Sequence, residues 1–489
     1  MANKMLNRSP VIVVLGHVDH GKTTLLDYIR HTNKTDKEIG GITQSIGAFD
    51  IELPIKGYHT NKITFIDTPG HEAFTQLRAR GAEVADMAIL IVDANDSVMP
   101  QTKESLYHIK QANIPYIVAL NKIDLPGANA EKTKKDLMKS GVMFEGMGGE
   151  VPTVEISAKK GTGVKELLEM ILFMASMKDL KYSPENDLKA YIIESRIEKA
   201  GISITAIVKD GILKVSDTIY AGDLIAKVKA LFNDLGENLS IVVPSSPCVI
   251  LGFSKLPEVG IEITNKLQKK IEKPADEGIV VPTEKFDLGA FFKDKEKDKL
   301  KLILKVDSQG SLDALVDSLG KSANFDIILS SVGEVNKSDI FLAKVSKAIV
   351  IGFSTIVPKA VTDLAIQEKV VIKTYSLIYQ LLEELDEVSD LIKEKEMTKR
   401  QLKGEAKVLA NFIIDKEKIA GIHVIKGKLN VNDNIELWRN DKQMGKAKIV
   451  SLKTRARTIP EIKKDMEGGI VFYPELDFNI GDMVKSYSI

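Results

Sequence analysis

VIVVLGHVDHGKTT, residues 11–24, decides how the first part of this chain folds. A short apolar run ends at Leu15, and Gly16-His17-Val18-Asp19-His20-Gly21-Lys22-Thr23 follows in the spacing G-x-x-x-x-G-K-[ST]. The run Leu25-Leu26-Asp27-Tyr28-Ile29 then predicts the opening of a helix. Strand, glycine-bounded loop and helix, in that order, are the context a phosphate-binding loop requires. Gly16 and Gly21 let the backbone turn tightly and approach an anion, and loop amides and the helix N-terminus point at its phosphates. In this reading Lys22 reaches the β- and γ-phosphates, the Thr23 hydroxyl holds Mg²⁺, and Thr24 closes the set of loop contacts.

A P-loop alone does not choose between ATP and GTP. Apolar segments KITFI (62–66), MAILIVD (87–93), YIVAL (116–120) and TVEIS (153–157) alternate with helical stretches, which predicts an α/β domain with a largely parallel sheet. Ligands bind such sheets at the carboxyl ends of the strands, so the residues following each run matter most. Asp67-Thr68-Pro69-Gly70-His71 follows KITFI. Asp67 is placed to hold Mg²⁺ through water, and Gly70 offers an amide to the γ-phosphate. Asn121-Lys122-Ile123-Asp124 follows YIVAL. The Asp124 carboxylate accepts two hydrogen bonds from the N1–H and exocyclic amine of guanine, a pair adenine lacks, and such a pair discriminates strongly. The Lys122 stem covers the base plane, and the backbone of Ser157-Ala158-Lys159 meets the guanine oxygen.

Gly40-Gly41-Ile42-Thr43-Gln44 lies where a mobile loop belongs, between the P-loop and Asp67. Thr43 is the candidate second hydroxyl for Mg²⁺, held only while the γ-phosphate is present, which makes the loop a switch. The competing reading is an ordinary loop threonine. His71 is the candidate catalytic residue, orienting or deprotonating the attacking water, because phosphoryl transfer is mostly positioning and charge stabilisation. A capping role for His71 is the alternative. His17 and His20 read as loop-shaping.

GHVDHGKTTLLD, GGITQSIGAF, DTPGHEAF, NKIDLPGA and SAKKGTGV resemble the translational GTPases, and their combination is most similar to the bacterial translation initiation factor two family. The resemblance implies a cytoplasmic, monomeric, GTP-dependent enzyme whose hydrolysis the ribosome stimulates. It would place initiator tRNA, expected in its formyl-methionyl form, on the small ribosomal subunit and promote joining of the large one. It further implies a monovalent cation near Asp19, no DNA partner and no membrane partner. The expected form is short, without the family's long N-terminal extension. Two departures stand out: Gly468-Gly469-Ile470 lacks the cysteine usual beside the aligned glycine, and RARTIPEI differs from the usual polar loop. Formyl-methionine contacts are therefore assigned to no residue.

At 489 residues the chain is too long for one core. Its 44% hydrophobic and 28% charged residues are those of an ordinary globular protein, and no run approaches a membrane span. The N-terminus MANKMLNRSP is neither a signal nor a transit peptide. The single cysteine, Cys248, fits a reducing cytosol and a buried strand position, and the seven histidines show no structural-zinc spacing. Zero net charge, from 68 basic and 68 acidic residues, argues against a globally nucleic-acid-wrapping surface but leaves local basic faces open. GKAKIVSLKTRAR (445–457) is such a face: it has no acid, and reads either as a solvated strand or as an RNA-backbone contact.

The expected architecture is multidomain α/β and β. A P-loop GTPase domain (1–180) leads through the polar linker KDLKYSPENDLK (178–189) to a β-barrel (186–275), which IEKPADEG leaves. An α/β layer domain (290–375) with strands KLILKV, FDIILSS, AIVIGF and VVIKTY follows, and in its VDSQGSLDAL Ser308 or Ser311 should cap a helix. A connecting helix (376–403) carries an apolar stripe at Ile378, Leu381, Leu382, Leu385, Val388, Leu391 and Ile392 that fades before Gly404. A second β-barrel (404–489) is the candidate initiator-tRNA-binding domain. Gly211 to Ile219 matches Gly427 to Ile435 at an offset of 216, which suggests two related barrels. A tRNA-carrying elongation-type factor would instead place two barrels in series after the GTPase domain. A GTP-regulated assembly protein that does not act on ribosomes is the third reading.

Overall fold

The computed structural model describes residues 5–32, 43–266, 299–322, 324–399, 402–414, 417–439, 442–454 and 457–487. Contacts divide the chain into two compact units, Met1–Leu382 and Glu383–Ile489.

The first unit begins with a six-stranded sheet in the order Gly47–Glu52, Lys62–Asp67, Val11–Gly16, Met87–Asp93, Tyr116–Asn121, Thr153–Glu155. All neighbours run parallel except the edge strand Gly47–Glu52. Val11–Gly16 and Met87–Asp93 are buried along their whole length, as strands covered on both faces must be. Around the sheet lie α1 (Lys22–Arg30), α2 (Thr75–Val84), α3 (Pro100–Gln111), α4 (Ala130–Lys139) and α5 (Val164–Lys178). The α5 residues Leu167, Ile171 and Leu172 share one core with Ile12, Phe65 and Ile89.

The stretch after α5 is less free than a polar linker. Lys181–Tyr182 pairs antiparallel with Leu6–Asn7, because Leu180 packs against the first core and positions the two residues after it. An eight-stranded antiparallel sheet follows, led by the long hairpin Lys189–Glu198 and Gly201–Asp210 and closing on one core that contains Ile192, Ile204, Ile219 and Cys248. Its last described strand is Glu262–Thr264; IEKPADEG lies outside the described residues.

A buried ion cluster joins the sheet to this barrel. Asp86, just before strand Met87–Asp93, accepts from both Arg8 guanidinium nitrogens at 2.6 and 2.7 Å, from Lys209 at 2.9 Å and from the Val11 amide at 2.9 Å. Burial alone would raise the Asp86 carboxyl, but Arg8 and Lys209 together hold it down at about 2, from 3.8. A carboxyl depressed in the folded state stabilises above its unfolded value and loses that contribution as pH falls through its folded value. The cluster should therefore weaken the first unit between about pH 4 and pH 2. Asp86→Ala, which leaves two buried cations unpaired, should cost about 3–5 kcal/mol in denaturant unfolding and abolish that acid step.

The α/β layer domain has a parallel sheet in the order Phe325–Val332, Leu300–Val306, Ile349–Phe353, Ile372–Tyr375. It carries α6 (Gln309–Gly320), α7 (Lys337–Ser346) and α8 (Lys359–Glu368). Ser308, not Ser311, is the N-cap of α6, its hydroxyl accepting from the Ser311 amide. This domain grips α2: Arg80 pairs with Asp313 at 2.6 Å, Gln76 donates to Asp317, and Leu77 lies against Gly310. The carboxylate of buried Glu194, from the barrel, accepts from the Gly310 amide at 3.2 Å. The connecting helix α9 spans Ile378–Lys399.

In the second unit, strand Leu402–Ile414 starts two residues before the expected boundary at Gly404, so residues 402 and 403 belong to the barrel and not to the helix. Six strands close into a ring: Leu402–Ile414, Met483–Tyr487, Asn434–Arg439, Lys442–Thr454, Glu467–Tyr473, Glu417–Asn430, and back to Leu402–Ile414. The 216-residue repeat holds at the level of single hydrogen bonds. Asp217 accepts from the Lys214 amide at 2.8 Å as Asp433 does from the Asn430 amide at 2.9 Å. Ser216 and Asn432 both adopt positive φ, 75° and 72°. Each donates its amide across the barrel, to Val228 and Ile449 respectively, at 2.9 Å. On Lys442–Thr454, Lys446 and Lys448 point outward while Ala447 and Ile449 point into the core.

Candidate functional site

The loop after strand Val11–Gly16 ends at Gly21, which begins α1 in a left-handed conformation, φ 92°. A side chain there would put its Cβ 2.3 Å from the Asn121 amide nitrogen, so only glycine satisfies both constraints. Asn121 is the brace between two strand ends: its side chain donates to the His20 carbonyl at 2.8 Å and accepts from the Ala158 amide at 2.9 Å. That amide is thus engaged within the protein. Ser157 donates to Asp124 at 2.7 Å, and this hydroxyl, more than nearby Lys160, holds the Asp124 carboxyl below its ordinary value. Lys122, at φ 62°, has its ammonium fixed to buried Asp93 at 2.7 Å.

At the other end of the loop lies a cavity of about 180 Å³ lined by Val18, Asp19, Gly21, Lys22, Thr23, Thr24, Thr43, Gly70, His71 and Tyr379. The buried Lys22 ammonium donates to the carbonyls of Gly16 and His17 at 3.0 and 2.6 Å. Burial pushes it down to about 8, opposed by the charge of Asp67. A lysine so desolvated gains by meeting an anion. Gly70 closes the cavity from the opposite wall; a Cβ there would lie 2.5 Å from the Lys22 nitrogen. The hydroxyls of Thr23 and Thr43 meet at 2.9 Å, bringing the P-loop helix and the loop before Gly47 to one point. Residues 40–42 lie outside the described residues. Asp67 ends its strand opposite Val14 in register, outside the cavity lining but near enough for its charge to act on Lys22. Hydroxyl and carboxylate oxygens around a polyphosphate are the donor set Mg²⁺ prefers, so these residues fit the ion.

His71 caps the short helix Glu72–Phe74, its Nδ1 accepting from the Ala73 amide at 2.9 Å. It also lines the cavity, so the capping bond holds the imidazole in the cavity wall. Burial lowers its pKa, against the pull of Glu72. His17 and His20 meet edge to face at 5.0 Å, and burial takes His20 down to about 4.

Several site residues escaped the sequence reading. Gln101 of α3 accepts from the Val18 amide at 2.9 Å, and Arg78, fully buried, donates to the carbonyls of Pro69 and His71. Gln44 and Tyr379 join the loop at Thr43 and His71 to the start of α9. Arg78 had one local signal, a charge seven residues from His71 on a predicted helix; the others depend on tertiary contact.

Family models match three stretches: Elongation factor Tu GTP binding domain over residues 7–177, Elongation factor G domain 2 over 187–266, and Translation-initiation factor 2 over 281–386. The chain is 41% identical to translation initiation factor IF-2 of Petrotoga mobilis over 504 residues, 99% of this chain and 71% of that protein. It is 42% identical to translation initiation factor IF-2 of Fervidobacterium nodosum, covering 100% of this chain and 73% of that one. A solved structure titled as GDP-bound aIF5B from Aeropyrum pernix is 26% identical and aligns over 98% of this chain and 92% of that chain, with a TM-score of 0.46.

Proposed function

The chain belongs to the translation initiation factor IF-2 family, a translational GTPase of initiation, and from that premise we propose how its residues carry out the task. The protein promotes initiator-tRNA binding to the small ribosomal subunit and joining of the large one, hydrolysing GTP to GDP and phosphate in the process. Asp124 and the Asn121, Lys122, Ser157–Lys159 frame select guanine. Gly16 to Thr24 cradle the phosphates, with Lys22 opposing their charge. Thr23, Thr43 and Asp67 would hold Mg²⁺, which when bound would supply positive charge to the phosphates. His71 orients a water whose oxygen bonds to the γ-phosphorus as the bond to the β–γ bridging oxygen breaks. Departure of phosphate removes what Thr43 and Gly70 hold, and the switch relaxes. A monovalent cation near Asp19 belongs to the same reading.

The four parts after residue 180 serve this switch: a barrel, an α/β layer domain, the connecting helix and a C-terminal barrel that receives initiator tRNA in its formyl-methionyl form. The protein works as a cytoplasmic monomer. The observation that carries the proposal is the convergence of Lys22, Thr23, Thr43, Gly70 and His71 on one cavity. The elongation-type alternative loses ground because the α/β layer domain separates the two barrels.

The test is GTP hydrolysis with and without ribosomal subunits. Subunits should accelerate turnover by about 10³-fold or more, in the range that trans-acting partners give GTPases. Folded, GTP-bound protein that ignores ribosomes overturns the proposal and favours an assembly role elsewhere. Tighter binding of formylated than unformylated initiator tRNA would support the assignment of the C-terminal barrel once the same preference is lost on its removal.

A further inference from the structure

Among the described residues lining the phosphate cavity, Tyr379 alone comes from beyond residue 71. It stands in the first turn of α9, between Ile378 and Leu381, of which the first is fully buried and the second likewise. That turn is also pinned to the switch loop. The Gln44 side chain donates to the Ser376 carbonyl at 2.8 Å and accepts from the Ile378 amide at 3.0 Å. Gln44 directly follows Thr43, whose hydroxyl meets Thr23. The turn that carries Tyr379 is thus fixed on one side by apolar packing and on the other by the loop at Thr43, while the Tyr379 ring stays partly exposed at the cavity.

Its ring lies edge to face on the His71 imidazole, centroids 4.2 Å apart and planes at 64°. The imidazole is therefore held twice, through Nδ1 by the Ala73 amide and across its ring by the phenol. Rotation of the imidazole out of this pose breaks both contacts. We propose that Tyr379 is a positioning residue for His71, which parks the imidazole in its capping orientation and slows hydrolysis until the first turn of α9 moves. Because Gln44 bonds to the same turn, rearrangement of the switch loop and release of His71 become one event. The charged neighbours of this pair, Asp19, Glu72 and Arg78, remain in place when the ring is removed. The assignment rests on His71 acting in hydrolysis, as read above.

An edge-to-face aromatic contact is worth roughly a 2- to 10-fold change in an equilibrium. The experiment measures ribosome-free GTP hydrolysis by the full chain at saturating and limiting GTP. Y379A should raise kcat by roughly 2- to 10-fold with KM for GTP little changed, and Y379F, which keeps the ring, should restore the wild-type kcat. In an H71A background, Y379A should add nothing. Q44A, which frees the turn without touching the ring, should raise kcat in the same direction. An unchanged or lower kcat in both Y379A and Q44A overturns the proposal, and so does an equal gain from Y379A in the absence of His71. Ribosome-stimulated hydrolysis by H71A is measured alongside. Wild-type speed there removes the catalytic reading of His71, whereas a defective H71A with an inert Y379A removes only the role of Tyr379.

Discussion

Asp124→Asn is expected to lower GTP affinity by about 10²- to 10⁴-fold while improving binding of xanthosine triphosphate over GTP. The carboxylate is acceptor-only, and guanine offers two donors on one edge. An asparagine there keeps one acceptor and turns a donor against the exocyclic amine. Xanthine carries a carbonyl at that position and accepts what guanine refuses. The bond from Ser157 survives in the variant, since an amide oxygen can replace the Asp124 oxygen it now reaches at 2.7 Å. The frame through Asn121 is untouched, so the fold should persist. Competition against a fluorescent guanine nucleotide measures both affinities; a loss of GTP binding below tenfold would show that Asp124 does not read the base.

His71→Ala is expected to slow ribosome-stimulated hydrolysis by about 10²- to 10⁴-fold, the scale of a positioned proton-handling group, with GTP affinity near wild type. The side chain also caps a short helix, so the variant loses the hydrogen bond to the Ala73 amide, a stability cost of about 1 kcal/mol. That cost is separable. A cap lost without catalytic consequence lowers the melting temperature and leaves turnover alone, and equal losses in affinity and turnover would mark His71 as structural. Arg78 keeps the Pro69 and His71 carbonyls in place in either case.

The nucleotide end of the molecule was legible because its chemistry is local. Strand, loop and helix succeed one another within fourteen residues at 11–24, and each later motif sits where a strand stops. The duplicated turn was legible for the same reason: Asp217 and Asp433 each reach a backbone amide three residues back. What the sequence left dark is made by residues far apart. Gln101 reaches Val18 across 83 positions, and Gln44 reaches Ile378 across 334. No periodicity or spacing marks such pairs, since each partner has an ordinary local environment. Lys181–Tyr182 was hidden differently, as two strand residues inside a stretch whose charge reads as linker.

The closed ring of the second unit has a consequence for recognition. Each of its six strands has a neighbour on both sides, because Leu402–Ile414 pairs with both Met483–Tyr487 and Glu417–Asn430. A sheet with an open edge can greet a guest through its own main chain, reading shape but little chemistry. Where its strands pair on both sides the ring offers no such seam. A guest there is met by side chains on the outer wall and by the connecting turns, where a single substitution changes the vocabulary without disturbing the scaffold. Lys446 and Lys448 stand on that wall, and Ala447 and Ile449 between them secure it from within.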